Sequence, residues 1–478
     1  MNPDLKLMDF QETGSTLLAQ SARAMLVWDA GVGKTPTGVR ACVKASARSV
    51  LVFCPPIGVS VWRDHFLEWS NYKIPYVLDS AHAQKPYAFM TGAGVRIVPY
   101  SRTRPDTMIM RAACGQDWDV VLIDEGHYLK NSSAQRTRAI YGAKTDLSKT
   151  PLETAKHVWV LTGTPVLNHP AEFWTHLHAL RPDLIVLPQL GKGAMPESIF
   201  LDRFCVTQKT PYGVRVLGGK NAHELAERIK PLIDRKRLKD VLKDMPELRI
   251  VEHSLPADTF IDRALRTELD DAMKALGLDP DALDDDALLA SVQAGGVSFS
   301  TVRRLIGRAK VKGVSDLVSD MLDDDEEAKV ILFAHHRDVI RDLAVELRNY
   351  TPLVITGATP LGARDIAINE FQTNPRHRLI ILAIEAAGEV ITLHASHNVV
   401  IAEPSPVPAK NKQAIARAHR KGQKHPVIAR FVLLPGTLDA RLMSIIARKT
   451  RDIAKLVDND LDLPKPKVDV GLAFPDTV

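Results

Sequence analysis

The chain is poor in cysteine: it has only Cys42, Cys54, Cys114 and Cys205, and no two of them form a Cys-x-x-Cys pair. That scatter argues against a zinc site or a disulfide framework and fits a reducing interior. Long apolar runs are missing as well, since nothing approaches the roughly 20 consecutive apolar residues that a membrane span needs. The first residues, Met1-Asn2-Pro3-Asp4, lack the basic-then-apolar layout of a secretory signal. No repeat of about 20–50 residues recurs, which argues against a solenoid. Excess charge is small too: the net is only +5, so overall charge does not by itself mark a polyanion binder.

What is present is an ordinary globular balance, 45% hydrophobic and 25% charged, over 478 residues. That length exceeds a single core and predicts two or three domains. Charge is unevenly placed. Asp279 to Asp286 and Asp323 to Glu327 are acidic clusters, whereas residues 410–451 are rich in Lys and Arg.

Short β-branched runs recur between helix-period segments. The first series is Ala24–Trp28, Ser49–Phe53, Val95–Pro99, Trp118–Asp124 and His157–Thr162. A second comprises Lys329–Ala334, Leu353–Thr356, Arg378–Ala383, Asn398–Glu403 and Val427–Leu433. These runs are continuously apolar, as expected of strands buried on both faces of a parallel sheet. Two such series predict an α/β fold of two doubly wound parallel-sheet lobes. Residues 1–235 are expected to form lobe 1, with a helical protrusion after about 166, and 236–325 a helical linker or insertion. Lobe 2 is expected over 326–460, with a closing helix from Arg441 to Val457, and 461–478 as a tail.

Chemistry enters where Ala24–Trp28 runs into Asp29-Ala30-Gly31-Val32-Gly33-Lys34-Thr35, ahead of a helix-compatible segment. Gly31, Val32 and Gly33 would wrap backbone N–H groups around phosphates, Lys34 would reach the β and γ phosphates, and Thr35 would ligate Mg²⁺. Trp28 stands where the strict pattern has its first glycine. Upstream, Gln11 could present both donor and acceptor to adenine. The strand Val120-Val121-Leu122-Ile123 ends in Asp124-Glu125-Gly126-His127. Adjacent acids at a buried strand end are costly unless they face a cation or a catalytic water. Asp124 is placed for Mg²⁺, Glu125 for activating water. Gly163 and Thr164, after a third buried strand, could relay the γ-phosphate state to a neighbouring surface.

The last motif is Gln413-Ala414-Ile415-Ala416-Arg417-Ala418-His419-Arg420-Lys421-Gly422-Gln423. On a helix Arg417 and Arg420, three apart, would share a face. Paired guanidinium groups suit the charge of a transferring phosphoryl group. Since they lie in the second lobe and Lys34 in the first, the lobes must close to complete the site.

Together these motifs resemble a superfamily-two helicase of the Swi/Snf type. The segments Pro170-Ala171-Glu172-Phe173, Arg203-Phe204-Cys205, Arg237 to Leu242 and Ile331 to His336 are most similar to the annealing, fork-remodelling branch. The resemblance runs from about residue 7 to 450. It implies a DNA-dependent ATPase with RecA-like lobes, using ATP and Mg²⁺ and translocating on duplex or branched DNA, usually without net unwinding. By motif match it places Gln11 at adenine. It puts Trp62, Tyr100, Ser101, His127, Lys130, Gly163, Thr164, His335, Gly357, Thr359 and Ala387-Gly388 in segments that face DNA or couple it to ATP. Three departures bear on coupling: Ala416 for glycine, Glu389 for a small or apolar residue, and Pro404 to Pro408 lacking Trp-Asn-Pro. With the motifs taking up nearly all of these residues, no targeting module is expected among them. The expectation is a monomeric cytoplasmic motor of bacterial or viral origin, nuclear if the source is eukaryotic, with no membrane association and protein partners unknown. Alternatives are a strand-separating helicase and a non-catalytic DNA-binding scaffold; the intact ATP residues speak against the latter.

Overall fold

Each of the ten apolar runs read as strands is a strand in the computed structural model. The structure describes residues 5–450 except 57, 73–75, 78–84, 143–149, 164–169, 188–192, 211–212, 243, 257–264, 266, 270, 273–296, 386–390, 436, 440–441, 444–445 and 448–449. The expected Asp-rich loop at 279–286, the 461–478 tail and most of the closing helix therefore lie outside the described residues.

The first sheet is built from β1 (Arg23–Trp28), β2 (Ser49–Cys54), β3 (Tyr76–Val77), β4 (Gly94–Pro99), β5 (Val120–Asp124) and β6 (His157–Thr162). A two-stranded antiparallel hairpin follows, β7 (Cys205–Thr210) with β8 (Gly213–Gly219), and β9 (Ile233–Lys236) then returns to the first sheet. Its order is β3-β4-β2-β5-β6-β1-β9, with every pairing parallel. The second sheet, also parallel throughout, comprises β10 (Leu248–Ser254), β11 (Val330–Ala334), β12 (Leu353–Ile355), β13 (Leu379–Ala383), β14 (Asn398–Ile401) and β15 (Val427–Leu433). It runs β10-β15-β14-β11-β13-β12.

The strands read as unbroken apolar runs because successive side chains enter different cores. In β1, Met25 and Val27 join one cluster, while Ala24, Leu26 and Trp28 join the other on the opposite face. The second sheet divides likewise, with Leu332 and Ala334 on one side and Ile331 and Phe333 on the other. Fully burying a Val, Leu or Ile contributes about 1.5–3 kcal/mol, so both sheets are pinned from two sides.

Residues 236–325, read as a helical linker, contain a strand as well as helices. Leu248–Ser254 is an edge strand paired with β15, and helices Val297–Ala309 and Val311–Asp323 pack into the core of the second sheet. The reason for the misreading is visible in the burial: Arg249, Ile250, Val251 and Glu252 are all exposed, so the strand shows neither an apolar run nor clean alternation. Helices 297–309 and 311–323 meet the last segment through a buried ion pair, Lys310 Nζ to Asp439 Oδ2 at 2.6 Å. Among the described residues no helix is long and apolar enough to cross a membrane.

The sheet orders decide where the chemistry falls. β1, β6 and β5 are neighbours, so their carboxyl ends gather the loops after Trp28, Thr162 and Asp124 into one crevice.

Candidate active site

The loop after β1 turns through Gly31 and Gly33, both in the left-handed region with φ of 83° and 82°. A side chain would be strained there. At Gly33 it would also meet the Gln11 amide, which would stand 2.2 Å from a Cβ. Gln11 braces this loop directly: its Nε2 donates to Val32 O at 2.9 Å and its Oε1 accepts from Met8 N at 2.9 Å. Helix Lys34–Lys44 then begins, leaving its first N–H groups at the loop. Lys34 Nζ donates to the carbonyls of Trp28 (3.0 Å) and Asp29 (3.2 Å). Burial pushes its ammonium below the usual range, against the pull of Glu125, Asp124 and Asp29.

Asp124 ends β5 buried, and its carboxylate is held on both oxygens. Trp62 Nε1 donates to Oδ2 at 2.9 Å, and Glu125 N donates to Oδ1 at 3.0 Å. Tyr100 donates its hydroxyl to the Asp124 carbonyl at 2.5 Å. Burial, together with the negative charge of Glu125, raises the Asp124 carboxyl above the ordinary carboxylate range. For Glu125 burial also acts upward, but His127, Lys34 and Arg417 outweigh it and its carboxyl lies below the usual range. His127 Nδ1 is 3.1 Å from Glu125 Oε2. Glu125 has φ 49° and ψ 56°, a left-handed conformation sparsely populated by non-glycine residues. Oxygen donors from Asp124 and Thr35 suit a hard cation such as Mg²⁺, and two carboxylates crowded in a buried crevice fit a cation beside them.

Gly163 follows β6 and faces the loop after β1. A Cβ there would stand 3.3 Å from Trp28 O and 3.6 Å from Lys34 Nζ. Thr164 lies outside the described residues.

The arginines arrive from the second sheet, but not on a helix. Helix Pro408–Ile415 stops at its C-cap Ala416, and Arg417 and Arg420 sit in the tight turns that follow. Beyond these turns Gly422 has φ 103°, and Gln423 donates its amide to the carbonyls of Ser396 (2.8 Å) and His394 (3.2 Å). The turn nonetheless aligns the pair: Arg417 Nη1 (3.5 Å) and Arg420 Nη1 (3.0 Å) both donate to Ile391 O. Across the crevice, a Cβ on Gly31 would lie 3.2 Å from Arg420 Cβ. The positive charge of Arg417 acts on both Lys34 and Glu125. A further contact joins the lobes, Lys412 Nζ to Asp29 Oδ1 at 3.0 Å, and His419 Nε2 lies 2.8 Å from Pro246 O on the segment that leads into β10.

The remaining sequence-derived positions divide. Trp62 and Tyr100 are buried against Asp124 and present no face to a polymer. Lys130 is drawn inward by the buried Glu172, at 2.8 Å. Ser101 is exposed, and Gly357 and Thr359 occupy a turn in which Thr359 Oγ1 accepts from Thr356 N at 3.0 Å. His335 is partly buried, 3.7 Å from Glu385. Ala387, Gly388 and Glu389 lie outside the described residues. Sequence reasoning missed Asp29, which binds Arg235 at 2.9 Å as well as Lys412. It also missed Glu403, buried two residues past the end of β14 and accepting from the backbone of His335 (2.7 Å) and His336 (2.9 Å). The signal for Asp29 was its place inside the phosphate loop; for Glu403 it was an acid closing an apolar strand.

Two parallel α/β lobes meet over the glycine-bearing loop after β1, one giving a lysine and two acids and the other two arginines, and so define a two-lobed α/β protein with a shared crevice. Residues 11–259 match the SNF2-related domain and residues 310–422 the helicase conserved C-terminal domain; the chain belongs to the SNF2-related family. It is similar to the DNA annealing helicase and endonuclease ZRANB3 of Bos taurus, 27% identical over 462 residues, 93% of this chain and 40% of that protein. It is also similar to the SWI/SNF-related matrix-associated actin-dependent regulator of chromatin subfamily A-like protein 1 homolog of Caenorhabditis elegans, 28% identical over 465 residues, 94% of this chain and 62% of that protein. The chain thus spans 40% to 62% of the length of these relatives. Among solved structures it is similar to the Sulfolobus solfataricus SWI2/SNF2 ATPase core in complex with dsDNA, with 19% identity, 96% of this chain and 94% of that chain covered, and a TM-score of 0.43.

Proposed function

We propose that this chain is an ATP-driven motor that acts as a monomer on duplex or branched DNA, translocating along it and reannealing or remodelling strands. The observation that carries the reading is the approach of Arg417 and Arg420 from one lobe to the phosphate loop of the other. Lys34 and the loop N–H groups would hold the β and γ phosphates. Thr35 and Asp124 would hold Mg²⁺, which when bound neutralises developing phosphate charge. Glu125 would take the proton of the attacking water as its oxygen bonds to the γ phosphorus and the bond to the β-γ bridging oxygen breaks. Arg417 and Arg420 would leave Ile391 O for the transferring group, so each turnover opens and closes the crevice. The similarity to proteins named as annealing helicases supports DNA as the polymer.

Strand separation is the second reading. The β7–β8 hairpin favours it, because Val206 and Val214 are exposed on an element shaped to wedge between paired strands. Phosphate release measured with single-stranded, duplex, forked and RNA ligands tests the main reading. Duplex or forked DNA should stimulate turnover most, and turnover indifferent to every ligand would defeat it. Displacement on forks against reannealing of bubbles separates the two readings.

A further inference from the structure

We infer that helix Pro408–Ile415 is a crosspiece coupling the phosphate loop to the His335–Glu385 edge of the second lobe, with Lys412 and Lys410 as its two positioning residues. This rests on the motor reading above.

Residues two apart on a helix are turned about 200° from one another, so Lys410 and Lys412 leave the helix in opposite directions. Lys412 crosses to the first lobe, where its Nζ lies 3.0 Å from Asp29 Oδ1. Lys410 stays in its own lobe and pairs with Glu385, whose Oε1 is 3.7 Å from His335 Nδ1. Glu385 lies two residues past the end of β13, and His335 directly follows the end of β11, which is its neighbour in the sheet.

Between the lysines Asn411 is buried and fixes the helix in place. It accepts from Ser405 N at 2.8 Å and donates to Ser405 O at 2.8 Å, so the helix cannot roll without moving the loop after β14. A proline at its first turn favours the start, and its last residue leads within two positions to Arg417. A displacement of Asp29 would therefore reach the arginines and the Glu385 edge through one rigid element.

The Asp29 end is the firmer attachment. Its carboxylate is 13% exposed and takes three donors: Lys412 from lobe 2, Arg235 at 2.9 Å and the backbone N–H of Leu238 at 3.1 Å. An isolated surface pair would do little. Here two of the three donors belong to lobe 1, so removing Lys412 leaves Asp29 held in place and releases only the second lobe.

The test uses the full chain with a donor and an acceptor dye attached through non-natural residues at the exposed positions Glu68 and Asp365, one in each lobe. The nucleotide-free wild type should give a narrow inter-lobe distance, K412Q a broad one, and K412R a narrow one again. An unchanged distribution in K412Q overturns the clasp. In turnover, K412Q and K410Q should each lower the DNA-stimulated kcat about fivefold and leave the KM for ATP within about twofold. The double variant should lose no more than either single one, since both act on one element. Losses that multiply to about 25-fold overturn the shared crosspiece. If wild-type turnover does not respond to DNA, the motor reading fails, and the distance measurement alone still judges the clasp.

Discussion

Trp62 Nε1 donates a hydrogen bond to Asp124 Oδ2 at 2.9 Å, and both side chains are buried. An indole on helix Gly58–Trp69 thus aims the carboxylate proposed to hold Mg²⁺. Trp62→Phe keeps the packing and removes the donor. A hydrogen bond to a charged group is worth about 1.5–3 kcal/mol, so turnover should fall roughly tenfold or more and half-maximal Mg²⁺ should rise. A Mg²⁺ titration of phosphate release checks this; a superimposable curve would remove Trp62 from the site.

Lys34→Ala removes the proposed phosphate cation and Glu125→Gln the proposed base. Each should lower ATP turnover at least about 100-fold, the usual scale of such groups. Glu125→Gln should still bind ATP, because it retains the shape and hydrogen-bonding reach of the side chain. Near-normal rates in both variants would refute the assigned roles.

His176 lies fully buried with its Nδ1 2.9 Å from the Tyr141 hydroxyl, and burial pushes it down to about 4. In the unfolded chain it takes a proton near 6.5. The unfolded state therefore binds more protons between those values, and stability is lost as pH falls from about 6.5 toward 4. The loss has an upper scale of about 3 kcal/mol. Denaturant midpoints measured across this range should decline, and His176→Phe should flatten the slope. An equal slope in the variant would assign the acid sensitivity elsewhere.

Lys310 and Asp439 form an ion pair that is all but sealed from solvent, with 1% and 9% of their side chains exposed. Lys310→Met strands a buried carboxylate and should cost about 3–5 kcal/mol, whereas the double change with Asp439→Leu should recover most of it. All six tryptophans, Trp28, Trp62, Trp69, Trp118, Trp159 and Trp174, belong to the first lobe. Tryptophan fluorescence should accordingly keep its midpoint while the circular dichroism transition of the second lobe moves. A double variant as unstable as the single one would show that the apolar pair does not pack.

Much of the architecture was legible in the chain because its strands are buried on both faces. Val120 to Ile123 and Ile331 to Phe333 are apolar without interruption, and that pattern has few other solutions. β10 was not legible: an exposed edge strand gains its place from pairing with β15, and Ile250 and Val251 carry no mark of it. The β7–β8 hairpin was hidden for the same reason, with Val206 and Val214 in solvent.

For the site, the sequence by itself named the candidate groups. Gly31, Gly33, Lys34, Asp124 and Glu125 follow buried strands in an order that suits phosphate chemistry, and Arg417 and Arg420 follow at a spacing that keeps them together. Tertiary structure alone decided what holds these groups and how they meet. Trp62 reaches Asp124, Lys412 reaches Asp29 and Arg420 packs against Gly31 because sheet order and lobe apposition bring together positions 62, 383 and 389 residues apart. Spacing along a chain constrains local turns through short-range sterics. Contacts at such separations depend on how whole sheets pack, and no single segment encodes that.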